Sequence, residues 1–386
     1  MDMNGIAGSH VSAVLSRRNA MKGAVGALLA SAAAGNESRA ADLSPDYPRG
    51  AIYIPARAFN AYQQWRDYDP KIAQRDVQLA RRLNLNAFRV WLSYEFWLHD
   101  SSALHHHLTD FLQTCSAAGI RVMPVLFEGD GVEPTPANII DTNPWSASDL
   151  LSPSTAIVGR PHLWAKPLDY LDWFMHHFRN DHRLLAIEIN NELFGRPRHR
   201  FAYAMLQHAA RMRGAINLTV GGANLGQSRS FISGGSQILQ THPDFPSSIH
   251  ELDQVIRQMK KLHMVLNRPV WLTEWQRVRH GGSGWGRGAL AQNAWQPDYA
   301  SLAPTIHRHK IGNLFWSLML KPAWLLVQRR KGTLNGVFHE DGAVWSAADA
   351  RAISGDANLK CVERAAWPEW AAAIPRRLGM PVKISG

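Results

Sequence analysis

Two short stretches of this chain end an apolar run on a carboxylate. Residues 187–195 read IEINNELFG, with Ile187 and Ile189 leading into Asn190, Asn191 and Glu192. Residues 270–276 read VWLTEWQ and reach Glu274, with Trp275 beside it. A third run, RVMPVLF, leads into Glu128, Gly129 and Asp130. Two carboxyl groups brought to one opening can share the work of breaking a glycosidic bond. One protonates the departing oxygen, and the other attacks the carbon or activates water. The division requires unlike surroundings, so that one group keeps its proton while the other stays charged. Glu128 and Asp130 would line the same opening and could bind hydroxyl groups there.

Such placement needs parallel strands whose carboxyl ends share one rim. Apolar runs and amphipathic segments alternate along the chain. AIYI (51–54), AFRVWL (87–92), RVMPVLF (121–127) and LLAIEIN (184–190) read as strands, followed by NLTVGG (217–222), ILQTH (238–242), VWLTE (270–274) and NLFWSLML (313–320). Helices are expected over 69–83, 103–118, 164–178, 199–215, 247–266, 299–309 and 347–360, with Asp69 and Ser247 as caps. Eight strands alternating with helices predict a single-domain (β/α)₈ barrel, whose chemistry gathers at the carboxyl ends of the strands. An open doubly wound sheet is the alternative. It would want a glycine-rich phosphate turn after the first strand, where this chain has PARAFNAY. GGSGWGRG (281–288) also departs from that fingerprint and reads as a loop of the opening.

The first 41 residues read as an export signal. Ser16, Arg17, Arg18 and Lys22 keep twin-arginine spacing ahead of an Ala-rich run from Gly23 to Ala34. That run is shorter than the about 20 residues a bilayer-spanning helix needs, so no stable membrane anchor is expected. Residues 42–386 would then form the working chain, periplasmic or secreted, with the twin-arginine export machinery as its partner. Two cysteines, Cys115 and Cys361, give no disulfide framework. The net charge of +11 comes from scattered arginines, without the basic–aromatic interleaving or finger spacing of nucleic-acid binders. Fifteen tryptophans suit either sugar stacking or an aromatic core.

These stretches resemble the retaining (β/α)₈ glycoside hydrolases of clan A, nearest to family five, which holds cellulases and β-mannanases. Glu188, Ile189, Asn190, Asn191 and Glu192 are similar to that family's strand-four pattern, a glutamate, two apolar residues, then Asn-Glu. The resemblance implies that Glu192 is the acid/base and Asn191 the amide that holds the sugar 2-hydroxyl. Glu274 in LTEW then matches the nucleophile, and Arg89 in FRVW the arginine that keeps it ionised. His242 stands at the strand-six histidine and Trp316 at the strand-eight stacking platform. Where the family has histidine, any residue, then tyrosine, this chain has His242, Pro243 and Asp244. Where its strand three ends on histidine, this chain has Glu128.

Around these, Tyr94, Glu95 and Trp97 could wall a subsite, and Trp275, Trp285 or Trp295 could stack on sugars. Glu188 shares the parity of Glu192, and buried in the barrel it would need a cationic or hydrogen-bonding partner. The histidine runs 105–107 and 176–177 lack the i, i+4 pairing of a helical zinc site, so no metal is expected. No organic cofactor is expected either. The reading is an exported retaining glycoside hydrolase acting on an oligo- or polysaccharide. Its rivals are a catalytically inactive carbohydrate-binding protein on the same barrel and an exported oxidoreductase.

Overall fold

Strands covered on both faces must read as apolar runs, and RVMPVLFE does: every residue from Val122 onward is buried. A computed structural model of the protein describes residues 47–279 and 296–385. Eight parallel strands carry the fold: β1 (Arg49–Ile52), β2 (Ala87–Trp91), β3 (Arg121–Glu128), β4 (Ile187–Asn191), β5 (Leu218–Thr219), β6 (Leu239–Thr241), β7 (Val270–Leu272) and β8 (Asn313–Phe315). Their order is β5-β4-β3-β2-β1-β8-β7-β6. A parallel bridge between Thr219 and Ile238 closes the circle between β5 and β6. Residues 48–279 and 296–385 thus form a single (β/α)₈ barrel domain.

Between the strands run α1 (Pro70–Arg82), α2 (Ser101–Ala117), α3 (Ala165–Phe178), α4 (Gly195–Arg211), α5 (Leu225–Arg229), α6 (Ile249–Leu266), α7 (Ala303–His309) and α8 (Ala347–Ser354). α1 begins as the sequence dictates, with the Asp69 carboxylate accepting from Lys71 N at 2.8 Å and Pro70 in the first turn. Ala73, Val77 and Ala80, at helical spacing, are its buried stripe. Several expected boundaries move. α6 is capped by Ser248, not Ser247, whose backbone N–H donates to Glu251 instead. α4 starts four residues early at Gly195, and α8 stops at Gly355, which takes φ 71°. The expected strand 313–320 ends at Phe315. Past it, Lys321–Pro322 pairs antiparallel with Leu334–Asn335.

Inside the barrel the residues form layers. Ala87, Met123, Ala186, Ile238 and Leu314 make an apolar floor. Two residues further along β2 and β4, on the same face, stand Arg89 and Glu188. Trp91, Trp316 and Trp324 pack together above them with Ile52, Ile54 and Val125.

Candidate active site

The site is built on the Arg89–Glu188 layer. Arg89, wholly buried, donates through Nε to Glu188 Oε2 at 2.8 Å and through Nη2 to Glu188 Oε1 at 2.6 Å. Glu188 therefore has the cationic partner its burial demands. The same guanidinium donates to Glu274 Oε2 at 3.1 Å and to Asn191 Oδ1 at 2.6 Å. Five fixed donors in one plane let a single side chain align both strand ends, which a lysine could not do.

Glu192 stands one residue past β4 and Glu274 two past β7. Glu192 has φ 26°, in the left-handed region, a placement that costs a non-glycine residue about 1–3 kcal/mol. Its carbonyl lies so close to Gly129 that a Cβ there would sit 1.5 Å from the oxygen. Only glycine fits between Glu128 and Asp130. His242, buried just past β6, joins the two carboxyl groups. Its Nδ1 is 3.0 Å from Glu192 Oε1 and 3.9 Å from Glu274 Oε2, while Nε2 is 3.1 Å from Thr273 Oγ1. Laid end to end, the two Nδ1 distances cap the separation of those carboxylate oxygens at about 7 Å.

Their surroundings differ. Burial pushes Glu192 up, but the hydrogen bond to His242, its charge and that of Arg89 outweigh this and hold the carboxyl below its usual range. Burial, Asp244 and Glu192 all raise Glu274. Asp244 is pushed up to about 8 by burial and by Glu192, and its side chain is hydrogen-bonded to Gln276 and Glu274. Two carboxyl groups in such contact hold one proton between them. The hydrogen bond between them raises Glu274 and lowers Asp244.

The cleft above is lined by Trp91, Glu128, Asp130, Asp149, Asn191, Glu192, Glu274, Gln276, Trp316 and Trp324, with Leu325 and Gln328 at its edge. Trp91, Trp316 and Trp324 meet with ring centroids 5.5–5.9 Å apart. Glu128, the last residue of β3, accepts from Asn191 Nδ2 at 3.0 Å, from Asp130 N at 2.8 Å and from Trp91 Nε1. Burial first, then Asp130 and Glu192, raise its carboxyl to about 8. Among the described residues no group of three His, Cys, Asp or Glu side chains is arranged to hold a metal ion.

Of the residues expected at the site, Glu192, Glu274, Asn191, Glu128, Asp130 and Trp316 line the cleft. Arg89 and His242 lie beneath it and touch the carboxylates. Trp275 does not reach the cleft. It is buried against Tyr299 and Phe315, with Nε1 donating to Asn313 Oδ1 at 3.2 Å. Following Glu274 by one residue, it points to the opposite face. Tyr94 and Trp97 pack on Tyr170 in the surrounding helical layer, and Glu95 accepts from Ser152 Oγ at 2.8 Å. Tyr94 and Trp97 do not line the cleft, whereas Glu95 lines a small adjoining cavity with Trp91, Glu128 and Asp149. Trp285, Trp295 and the 281–288 loop lie outside the described residues. Trp91, Asp149, Asp244, Gln276 and Trp324 went unread in the sequence. Asp149 and Trp324 lie in irregular segments without periodicity, and only Asp244, two residues after His242, gave a local signal.

No family model matches the sequence, and no curated protein is similar to it in sequence. Solved structures share its fold. An exo-beta-1,4-mannosidase from Opitutaceae bacterium strain TAV5 superposes with a TM-score of 0.55 at 15% identity over 86% of this chain, which spans only 60% of the mannosidase. A hyperthermostable endo-1,4-beta-D-mannanase from Thermotoga petrophila RKU-1 gives 0.53 at 12% identity, covering 80% of this chain and 98% of that one. A GH5_18 protein from Streptomyces cattleya, solved with GlcNAc, gives 0.51 at 12% identity, over 83% of each chain. At such identities the likeness is one of architecture: this chain has the (β/α)₈ fold seen in family-five glycoside hydrolases.

Proposed function

We propose that the protein is an exported retaining glycoside hydrolase that cleaves β-glycosidic bonds of a glucan, mannan or related bacterial polysaccharide. The observation that carries this reading is the carboxyl pair at the mouth, held by one imidazole within about 7 Å. Retaining enzymes set their carboxyl groups about 5–5.5 Å apart, a separation this cap admits. Glu274, aligned by Arg89, attacks the anomeric carbon in its ionised form. Glu192, with His242 Nδ1 3.0 Å from its Oε1, protonates the departing oxygen. Once a glycosyl–Glu274 ester has formed, Glu192 takes a proton from the incoming water, whose oxygen displaces Glu274 and frees the sugar. Trp316, the least buried of the three cleft tryptophans, is the platform on which a sugar ring would stack.

Export rests on Ser16, Arg17, Arg18 and Lys22 and on free Cys115 and Cys361. Among the described residues no helix is long and apolar enough to cross a membrane. Replacing Arg17 and Arg18 by lysine should leave the protein in the cytoplasmic fraction of an exporting cell; unchanged export would remove this part of the proposal.

The hydrolytic reading is tested on a panel of aryl β-glycosides and polysaccharides, with NMR of the first anomer released. Glu192→Gln should lower the rate about 10²–10⁴-fold on poor leaving groups. Glu274→Gln should abolish turnover. Activity persisting without Glu274, or an inverted first product, would overturn the mechanism.

A further inference from the structure

Three carboxylates of the cleft take no part in double displacement. Glu128, Asp130 and Asp149 line the same wall as the tryptophans. Glu128 is satisfied by Trp91, Asn191 and a backbone N–H, Asp130 by Gly131 N at 2.7 Å, and Asp149 by Leu150 N at 2.7 Å. All these donors are neutral. Among the described residues none of the three makes an ion pair, and Arg89, Arg198 and Lys321 act on them only from a distance. The grouping is built, not incidental. Gly131, at φ 108°, lets the loop after β3 run so close to Asp149 that a Cβ would lie 2.7 Å from its carbonyl carbon. This sets Asp130 and Asp149 side by side in a chain whose net charge is +11.

Independently, Trp324 is 3% exposed and lines the cleft, yet its indole Nε1 has no acceptor among the described residues. A buried N–H left unpaired at a cleft wall asks for a ligand oxygen. Carboxylates with only neutral donors ask for a cation. Tryptophan faces serve both needs, since indole stacks on a sugar ring and attracts an ammonium group. Asn191 has one amide hydrogen on Glu128 and its carbonyl on Arg89. Beside the expected place of the sugar C2 substituent, the wall therefore presents acceptors.

We infer that the cleft selects a β-linked 2-amino-2-deoxyhexose glycan with its amine free, whose ammonium group sits among Glu128, Asp130 and Asp149. The inference rests on the hydrolase reading for the place of the sugar, but its test separates the two. The full chain is assayed on an aryl β-glucosaminide, its N-acetyl counterpart, an aryl β-glucoside and an aryl β-mannoside. Binding of a glucosamine tetramer to Glu274→Gln is followed by calorimetry. The free-amine substrate should lead in kcat/KM by tenfold or more while its amine is protonated. Asp130→Asn and Asp149→Asn should each cut that lead at least threefold, through KM. Turnover of neutral or N-acetylated sugars in preference would overturn the inference and leave the hydrolase standing. Tetramer binding without turnover of any glycoside would do the reverse. Neither binding nor turnover of glucosamine would overturn the inference outright.

Discussion

The barrel layer and the cleft wall use the same chemical group under opposite conditions. Beneath the cleft, Glu188 is wholly buried and locked to Arg89 by two parallel hydrogen bonds. Three residues further along the paired strands, opposite Asn191, Glu128 is almost as buried and receives only neutral donors. A buried carboxylate with its counter-charge in place is part of the framework. One without it is raised toward neutrality and is open to whatever cation arrives. Burial alone does not separate structure from function here; the source of compensation does.

The largest expected effect comes from breaking the lower half of that comparison. Arg89→Met strands Glu188 and Glu274 in the barrel, and should cost about 3–5 kcal/mol of unfolding free energy. Denaturant titration measures it, and adding Glu188→Gln should recover part of the loss. A variant as stable as the wild type would show that the pair is not structural.

Next in size is the pH dependence of the wall. Glu128 has its pKa raised from the usual 4.5 to about 8. The folded chain then binds that proton more tightly than the unfolded one. The stability it gives is complete below about 4.5 and drains away as pH rises to about 8. Asp76, Glu95 and Asp244 shift in the same direction, so the measurement is a difference. Glu128→Gln should lose less stability than the wild type between pH 5 and 8, and parallel curves would contradict this.

A subtler test addresses the proton shared by Asp244 and Glu274. If Asp244 gives it up near pH 8, kcat/KM should show an inflection there. Asp244→Asn still donates to Glu274 but cannot titrate, and the inflection should vanish. Smallest of all, Trp275→Phe removes one buried hydrogen bond to Asn313 and should cost about 1 kcal/mol. KM should not move; a large rise would return Trp275 to the ligand.

How far the sequence spoke depended on whether a residue's role was local. Buried parallel strands have to be apolar runs, so all eight could be read, although β5 and β7 proved shorter than their runs. Glu192, Asn191 and Glu274 were legible because a polar residue that ends such a run has few other reasons to be there. Trp275 was misread against a parity that its neighbour already fixed. Asp149 and Trp324 could not be found, since long irregular segments bring them to the cleft and no period marks them. Asp244 stood in plain view two residues after His242, but its meaning depends on Glu274, which lies across a strand pair and thirty residues away in the chain.

The pairing of β3 with β4 sets Glu128 directly opposite Asn191, and Phe127 opposite Asn190. Two residues that shape the cleft are thus neighbours through the sheet's own hydrogen bonding, not through their loops. The chemistry is inherited from backbone register, whereas the wall around it is written in exchangeable segments. Replacing the loop that carries Asp149 would therefore reshape the cleft wall and leave Glu128 and Asn191 where the barrel put them.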